Sequence, residues 1–528
     1  MKLKASELSC GCWPAAGIAL PGFDMAEVAK NTAEKPVWIH FGPGNIFRAF
    51  PAAVQQDLLN RGIADKGIIV AEGYDYEIVD KLFLPCDNLS LLVTLKSDGS
   101  VEKTVVGSVT EALRVDRSNE TDFARLKQIF RAPSLQMVSF TITEKGYSLS
   151  APGVAEDMGK GPSASESYMG KLAALVYERY LAGRLPVALV SMDNCSHNGD
   201  KLRDAVQAFG DAWSERGLCD SGFAAYLWDG ELVGFPWSMI DKITPRPDDM
   251  VKKMLQADGF EDTEGTVTSK NTFIAPFVNA EETQWLVIED SFPNGRPPLE
   301  AGGVIFTDRE TVDKVEKMKV CTCLNPLHTA LAVFGCLLGY EKISDEMQDA
   351  DLVKFIRQIG YVEGLPVVVN PGIIDPKGFI DNVVDVRLPN PFMPDTPQRI
   401  ACDTSQKLPI RFGETIKAYA ASKDLDATEL KAVPLVLAGW LRYLMAVNDE
   451  GMAFELSPDP ALESLRAPFG ALKLGEVGDF GSVVKPVLSD PTYFGVNLYE
   501  VGLGEQVEKL FAELTGGAGA VRAALQAL

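Results

Sequence analysis

Histidine is almost missing from this chain: three occur in 528 residues, at positions 40, 197 and 328. With so few imidazoles, no pair has the close spacing of zinc ligands, and Cys321-x-Cys323 does not match the usual cysteine pairs either, so no metal is expected. Basic residues are also in deficit, 50 Lys and Arg against 73 Asp and Glu, for a formal net charge of −23 and a pI near 4.7. A field of that sign repels phosphate backbones and anionic lipid surfaces, which leaves nucleic acid and membrane aside as partners. A small anionic substrate is still admissible, because a few Arg and Lys in a cleft outweigh distant charge. No apolar run approaches the ~20 residues needed to cross a bilayer; Thr329 to Leu338 reaches about half that length. The nine cysteines show no repeated spacing of a disulfide framework, so reduced thiols of a cytoplasmic protein are expected. Repeats of solenoid period and low-complexity tracts are lacking as well.

What is present is an ordinary globular composition, 46% hydrophobic and 23% charged, at about three times the ~150 residues of one domain. From Pro36 the run PVWIHFGPGNIFRAFPAAVQQDLLNRG reads as a strand, a glycine-rich turn and a helix, and KGIIVAEGYD from Lys66 as a second strand. Further strands are expected at Leu89 to Leu95, Leu135 to Thr143 and Pro186 to Ser191, with helices at Glu120 to Arg131 and Ser167 to Ala182. This alternation predicts an α/β fold with a largely parallel sheet. Beyond residue 300 the periodicity becomes helical, notably over Thr311 to Tyr340, Leu425 to Val447 and Glu505 to Leu514. The Pro/Gly-rich stretch Ser291 to Gly303 marks the boundary, giving a dinucleotide-binding domain at 36–297 and a helical domain at 298–528. The N-terminal stretch through Phe23, its apolar part broken by prolines and glycines, reads as a lead-in that continues into a polar linker.

Two constellations carry chemistry. In Gly42-Pro43-Gly44-Asn45-Ile46-Phe47-Arg48, glycine between a strand and a helix start lets a pyrophosphate approach the backbone, and the helix N–H groups hold its charge. The third glycine of the usual fingerprint is replaced by Phe47. Twenty-eight positions after Gly44, Glu72 ends the second strand, where an acid accepts hydrogen bonds from the adenosine ribose and repels a 2′-phosphate. That favours NAD over NADP, with Asp75 as the rival ribose ligand. The second constellation is Glu316, Lys319, Asn325 and His328. A desolvated lysine can exchange a hydroxyl proton during hydride transfer, while amide and imidazole groups bind the oxygen whose charge changes.

The ordered segments HFGPGNIFRA, TITEKGY, SMDNCSHNG, FPWSMIDKITP, QWLVIED, EKMKVCTCLNPLH and DTSQKLP, with YFGVNL near the end, resemble the polyol-specific long-chain dehydrogenase/reductase family, that of mannitol dehydrogenase and fructuronate reductase. The resemblance implies an N-terminal Rossmann-like NAD-binding domain, a mostly α-helical catalytic domain, and a metal-independent enzyme interconverting a secondary alcohol and a ketone on a polyol or sugar acid. It makes Lys319 the general acid/base, Asn194 and Asn325 the pair holding the reacting oxygen, His328 a substrate-positioning imidazole and Glu316 the carboxylate that exchanges protons with solvent. Thr143 and Asp193 join Gly42 to Arg48 and Glu72 as cofactor-binding residues, and Asp241 falls at the substrate end. DTSQKLP is closest to the sugar-acid reductases, so Lys407 and Arg399 are expected to bind a carboxylate, and a fructuronate/mannonate-type substrate is favoured over a free polyol of the mannitol or arabinitol type. A catalytically silent NAD- or sugar-binding sensor is the non-enzyme reading.

One departure bears on the site. The family places the lysine five residues before the asparagine, whereas Lys319 is six before Asn325, and Pro326 stands where glycine is usual. In a regular helix the extra residue turns Lys319 about 100° from the Asn325/His328 face. An irregular turn near Cys321 to Cys323, a π-bulge or local break, is therefore expected, with Lys317 as the fallback base.

Overall fold

The computed structural model describes residues 1–246, 249–476 and 480–528. Two compact units emerge, one of residues 1–96 and 100–313, the other of residues 97–99 and 314–528.

The first unit is built on six strands: β1 (Trp38–Phe41), β2 (Ile68–Glu72), β3 (Val109–Arg114), β4 (Met137–Phe140), β5 (Val187–Ser191) and β6 (Val233–Gly234). They pair in the order β3-β2-β1-β4-β5-β6, parallel at every step. Every residue of β1, β2, β4 and β5 is buried, which is why WIHF, IIVAE, MVSF and VALVS read as unbroken apolar runs rather than alternating ones. Helices Glu120–Arg131, Tyr168–Leu181 and Asn198–Glu215 supply Leu126, Leu172, Leu202 and Phe209 to the core on one side of this sheet. The chain order reverses between β1 and β4, and in such a sheet ligands bind beyond the carboxyl ends of the strands at that switch.

Not every expected strand joins this sheet. Ser90–Leu95 forms a hairpin with Val101–Val106 in a separate four-stranded sheet completed by Phe277–Glu281 and Ile18–Ala19. Nor is the N-terminal segment a lead-in: Trp13 is fully buried, and Met25–Glu34 is a helix whose N-cap Asp24 accepts from the backbone N–H groups of Ala26 and Glu27. The Pro/Gly-rich stretch lies within the first unit, because Ile305–Thr307 beyond it pairs parallel with Trp285–Glu289. The expectation of nine reduced thiols is also corrected. Cys10 and Cys12 form a disulfide, their Cα atoms 5.2 Å apart, while the other seven are free. A bridge over one intervening residue has no framework spacing by which to be noticed.

The second unit is helical. α1 (Arg309–Met318), within which the chain passes between the units, a π-helical turn at Lys319–Cys323 and α2 (Asn325–Leu338) run as one 30-residue helix. It is long and apolar enough to span a bilayer, yet 72% of its most apolar window is buried inside the protein, as for a core helix. Ala432–Tyr443, buried at every residue, packs against α2. Further π turns occur at Val79–Phe83, Gln358–Gly364, Val383–Arg387 and Pro409–Gly413. Of the five π turns among the described residues, three run directly into Leu-Pro, and the Lys319 turn into Leu324-Asn325-Pro326. Proline has no N–H and crowds the carbonyl four residues back, so the hydrogen bonds before it slip to i→i+5. The Leu324 N–H donates to Lys319 O at 3.1 Å and the Leu388 N–H to Val383 O at 3.0 Å in this way.

Candidate active site

In the first unit, β1 ends at Phe41 and the chain turns through Gly42, at φ +79°, where a Cβ would meet the carbonyl oxygen of Thr141 at 2.5 Å. Only glycine fits that position. Gly44 caps the short helix Asn45–Ala49 and is open, with nothing but the Gly42 carbonyl within 4 Å of an added Cβ. The side chains behind this turn are structural. Phe47 is buried and stacks on His40 at 3.9 Å, and His40 bridges Ser139 and Thr141, its pKa lowered by burial to about 3. Arg48 is buried and donates to Ala275 O at 2.9 Å and to Asn45 Oδ1 at 3.1 Å, so of the predicted set the turn offers backbone at Gly44, Asn45 and Ile46.

At the end of β2, Glu72 Oε1 accepts from the N–H groups of Tyr74 and Asp75 at 2.8 and 3.0 Å, and burial raises its pKa. Asp75 accepts from Thr268 Oγ1 at 2.6 Å. Beside them opens a cavity of about 690 Å³ lined by Gly73, Asp75, Gly146, Tyr168 and Lys171 among others. The Tyr168 hydroxyl is buried without a partner, and a side chain at Gly73 would strike the Tyr168 ring at 2.4 Å. An orphaned hydroxyl and a glycine cradle beside an acid at the end of β2 suit the adenosine half of a dinucleotide.

Beyond β5, Asp193 binds the N–H groups of Thr143 at 2.7 Å and Ile142 at 3.1 Å and the Tyr147 hydroxyl at 2.5 Å. It therefore organises the loop after β4, where Thr143 sits at φ +65°. Asn194, next along, is exposed. Its loop is stapled by buried Asn198, whose amide donates to Asp193 O and to Ser238 O and Oγ, and accepts from the Ser238 N–H. Asp241 is buried at the end of the strand Ser238–Asp241.

In the second unit the expected irregular turn is present as the π turn Lys319–Cys323. Lys319 is 4% exposed, whereas the fallback Lys317 is exposed. The wide turn takes up the extra residue between Lys319 and Asn325, which opens α2 with Pro326 in its first turn. His328, one turn on, stands 3.4 Å from Asp395 Oδ2, at an ion-pair distance without hydrogen-bond alignment. Asp395 also pairs with Arg399, and although burial pushes its pKa up, the His328 and Arg399 side chains beside it hold it below the usual carboxylate value. Lys407 donates to the carbonyls of Ile400, at 2.9 Å, and Cys402. Glu316 is partly buried on α1. Among the described residues no three His, Cys, Asp or Glu side chains converge as metal ligands would. Sequence reasoning passed over Asn198, Asp395, Tyr168 and Arg411. Arg411 was within reach, four residues after Lys407 and just beyond the segment DTSQKLP.

A doubly wound first unit with a glycine turn, joined to a helical unit carrying a buried lysine, defines a dinucleotide-dependent oxidoreductase. The chain belongs to the mannitol dehydrogenase family: residues 37–301 match the mannitol dehydrogenase Rossmann domain and residues 311–509 the mannitol dehydrogenase C-terminal domain. It is 56% identical to the D-mannonate oxidoreductase of Thermotoga maritima over 97% of this chain and 96% of that one. It is 30% identical to the mannitol 2-dehydrogenase of Pyrenophora tritici-repentis over 83% and 74%. Among solved structures, the ternary complex of Pseudomonas fluorescens mannitol 2-dehydrogenase with NAD and D-mannitol superposes with a TM-score of 0.70 at 26% identity, covering 100% of this chain and 99% of that one. A substrate-free D-sorbitol dehydrogenase gives 0.81 at 26% identity over 99% and 100%.

Proposed function

We propose that the chain is an NAD-dependent sugar-acid dehydrogenase interconverting a fructuronate-type ketone and a mannonate-type secondary alcohol. The observation that carries this reading is the 56% identity, over nearly the full length, to a D-mannonate oxidoreductase. The glycine turn at Gly42 to Ile46, with Glu72 beside the adenosine cavity, supports NAD as cofactor, Glu72 or Asp75 taking the ribose. Bound there, the nicotinamide supplies the hydride acceptor in oxidation and the donor in reduction.

The chain's own residues handle the oxygen and its proton. Lys319 takes the hydroxyl proton as the carbonyl forms and returns it in reduction. The amides of Asn194 and Asn325 donate to the oxygen as its charge grows, His328 orients it, and Glu316 passes the proton of Lys319 to solvent. Asp241 accepts from a hydroxyl of the substrate, while Arg399 and Lys407, the pair expected to bind a carboxylate, are held by Asp395 and by the Ile400 and Cys402 carbonyls. The seven free thiols and the buried apolar helix suit a cytoplasmic enzyme.

The test is NADH oxidation by the purified protein against fructuronate, tagaturonate and fructose, with and without EDTA. Turnover of a keto-uronate that survives EDTA is expected. Turnover of fructose alone would replace the reading with a free-polyol dehydrogenase, and tight NADH binding with silence on every substrate would favour the sensor.

A further inference from the structure

Three cations lie on the segment 399–411 of the second unit, and two are already engaged. Arg399 meets the Asp395 carboxylate, and Lys407 is spent on two backbone carbonyls. Arg411 is different. Its Nη1 donates to Thr329 Oγ1 at 2.5 Å and to Asn325 O at 3.5 Å, both neutral acceptors. No carboxylate pairs with it among the described residues, and Nε and Nη2 have no protein acceptor. Burial alone lowers its pKa, to about 10, with no neighbouring acid to raise it again, and it stays charged at neutral pH.

The position is as telling as the missing partner. Arg411 is carried on the π turn Pro409–Gly413, which packs against both the Lys319 turn and α2. The Asn325 carbonyl and the Thr329 hydroxyl fix one arm of the guanidinium, so the rest of the fork is held in place rather than free to swing. The guanidinium is half-buried with no carboxylate beside it, and a planar fork with unused donors is the group that binds a carboxylate in bidentate fashion.

We propose that Arg411 binds the carboxylate of the substrate and is the residue by which this chain selects a sugar acid over a neutral polyol. The inference rests on the sugar-acid reading above and assigns its anion to a residue outside the set expected from sequence.

The experiment compares kcat/KM for fructuronate and for fructose in the wild type, Arg411→Gln and Arg411→Lys, with thermal unfolding to check each fold. In Arg411→Gln the fructuronate-to-fructose ratio is expected to fall about 100-fold, the size of a lost charge-assisted pair, through KM more than kcat. Arg411→Lys, which keeps the charge and loses the fork, is expected to recover part of it. A second arm leaves the protein untouched: the neutral amide of fructuronate should lose a similar factor with the wild type. A ratio within about threefold of wild type in folded Arg411→Gln, or an amide turned over as well as the acid, would overturn the assignment while leaving the sugar-acid reading standing. A wild type that turns over no keto-uronate would overturn both.

Discussion

Lys319 and Lys317 differ by two positions and by their surroundings: one is buried on a π turn, the other exposed on the helix before it. Only the buried side chain is shielded from water as a proton-exchanging group should be. Replacing Lys319 by alanine is expected to lower kcat by about 10²- to 10⁴-fold with NADH still bound, read by single-turnover kinetics and NADH fluorescence; a loss below tenfold would remove it as the base. Two other buried groups link the stability of the fold to pH. His40 is held neutral, so between pH 6.5 and about 3 the unfolded chain takes up a proton that the folded chain refuses, and stability falls by about 1.4 kcal/mol per pH unit on that limb. Glu346 acts in the opposite direction. It is buried, both its oxygens lack partners, and burial raises its pKa well above 4.5, so the folded chain keeps a proton that the unfolded chain releases. Stability on that account declines as pH rises above about 4.5. In urea titrations, Glu346→Gln should flatten the alkaline limb and His40→Gln the acid limb; unchanged slopes would show that other groups govern them. At this scale the sequence discloses residue types and spacing, which singled out Lys319, Asn325 and His328 and the irregular turn between them. It does not disclose who partners whom, and so Asp193 was assigned to the cofactor while its carboxylate is seen holding Ile142, Thr143 and Tyr147.

Among the elements, the π turns are where local sequence decides geometry. Pro326 withholds the N–H that would donate to Thr322, and the turn before it, Lys319–Cys323, is π-helical. Pro326→Ala restores that donor and should let the turn relax toward an α-helix. An expected kcat loss of about 10- to 100-fold, with NADH affinity retained, follows from shifting a reacting group by about an ångström; an unchanged kcat would show that the proline does not hold the turn. The irregularity was legible in advance because spacing and a proline pointed to the same place. The turns at Val79–Phe83, Gln358–Gly364 and Val383–Arg387 carry a proline mark too, Leu-Pro directly after the turn, but with no residue to count from, nothing drew attention to it. The strand Ser90–Leu95 was legible as a strand and not as a member of another sheet, since partner choice is set by contacts distant in sequence.

For the molecule as a whole, alternation of strand and helix followed by helical periodicity disclosed the two architectures. It did not disclose that residues 1–35 belong to the first unit, where Trp13 is buried and Ile18–Ala19 extends a sheet. Binding of NADH should stabilise the enzyme by about 2.7 kcal/mol at one hundred times its Kd. Gly42→Ala, which forces a Cβ against Thr141 at a left-handed position, should abolish that gain; a midpoint that still rises with NADH would place the coenzyme elsewhere. The long helix through Lys319 has a further meaning as a record of descent. A π turn is what one added residue leaves behind when the helix on either side keeps its packing. Chains of this family should therefore be aligned with their single-residue gap inside Lys319–Cys323, so that lysine faces lysine and asparagine faces asparagine. A gap placed in the nearest loop would set Lys319 against the wrong neighbour and throw the segment between gap and turn out of register.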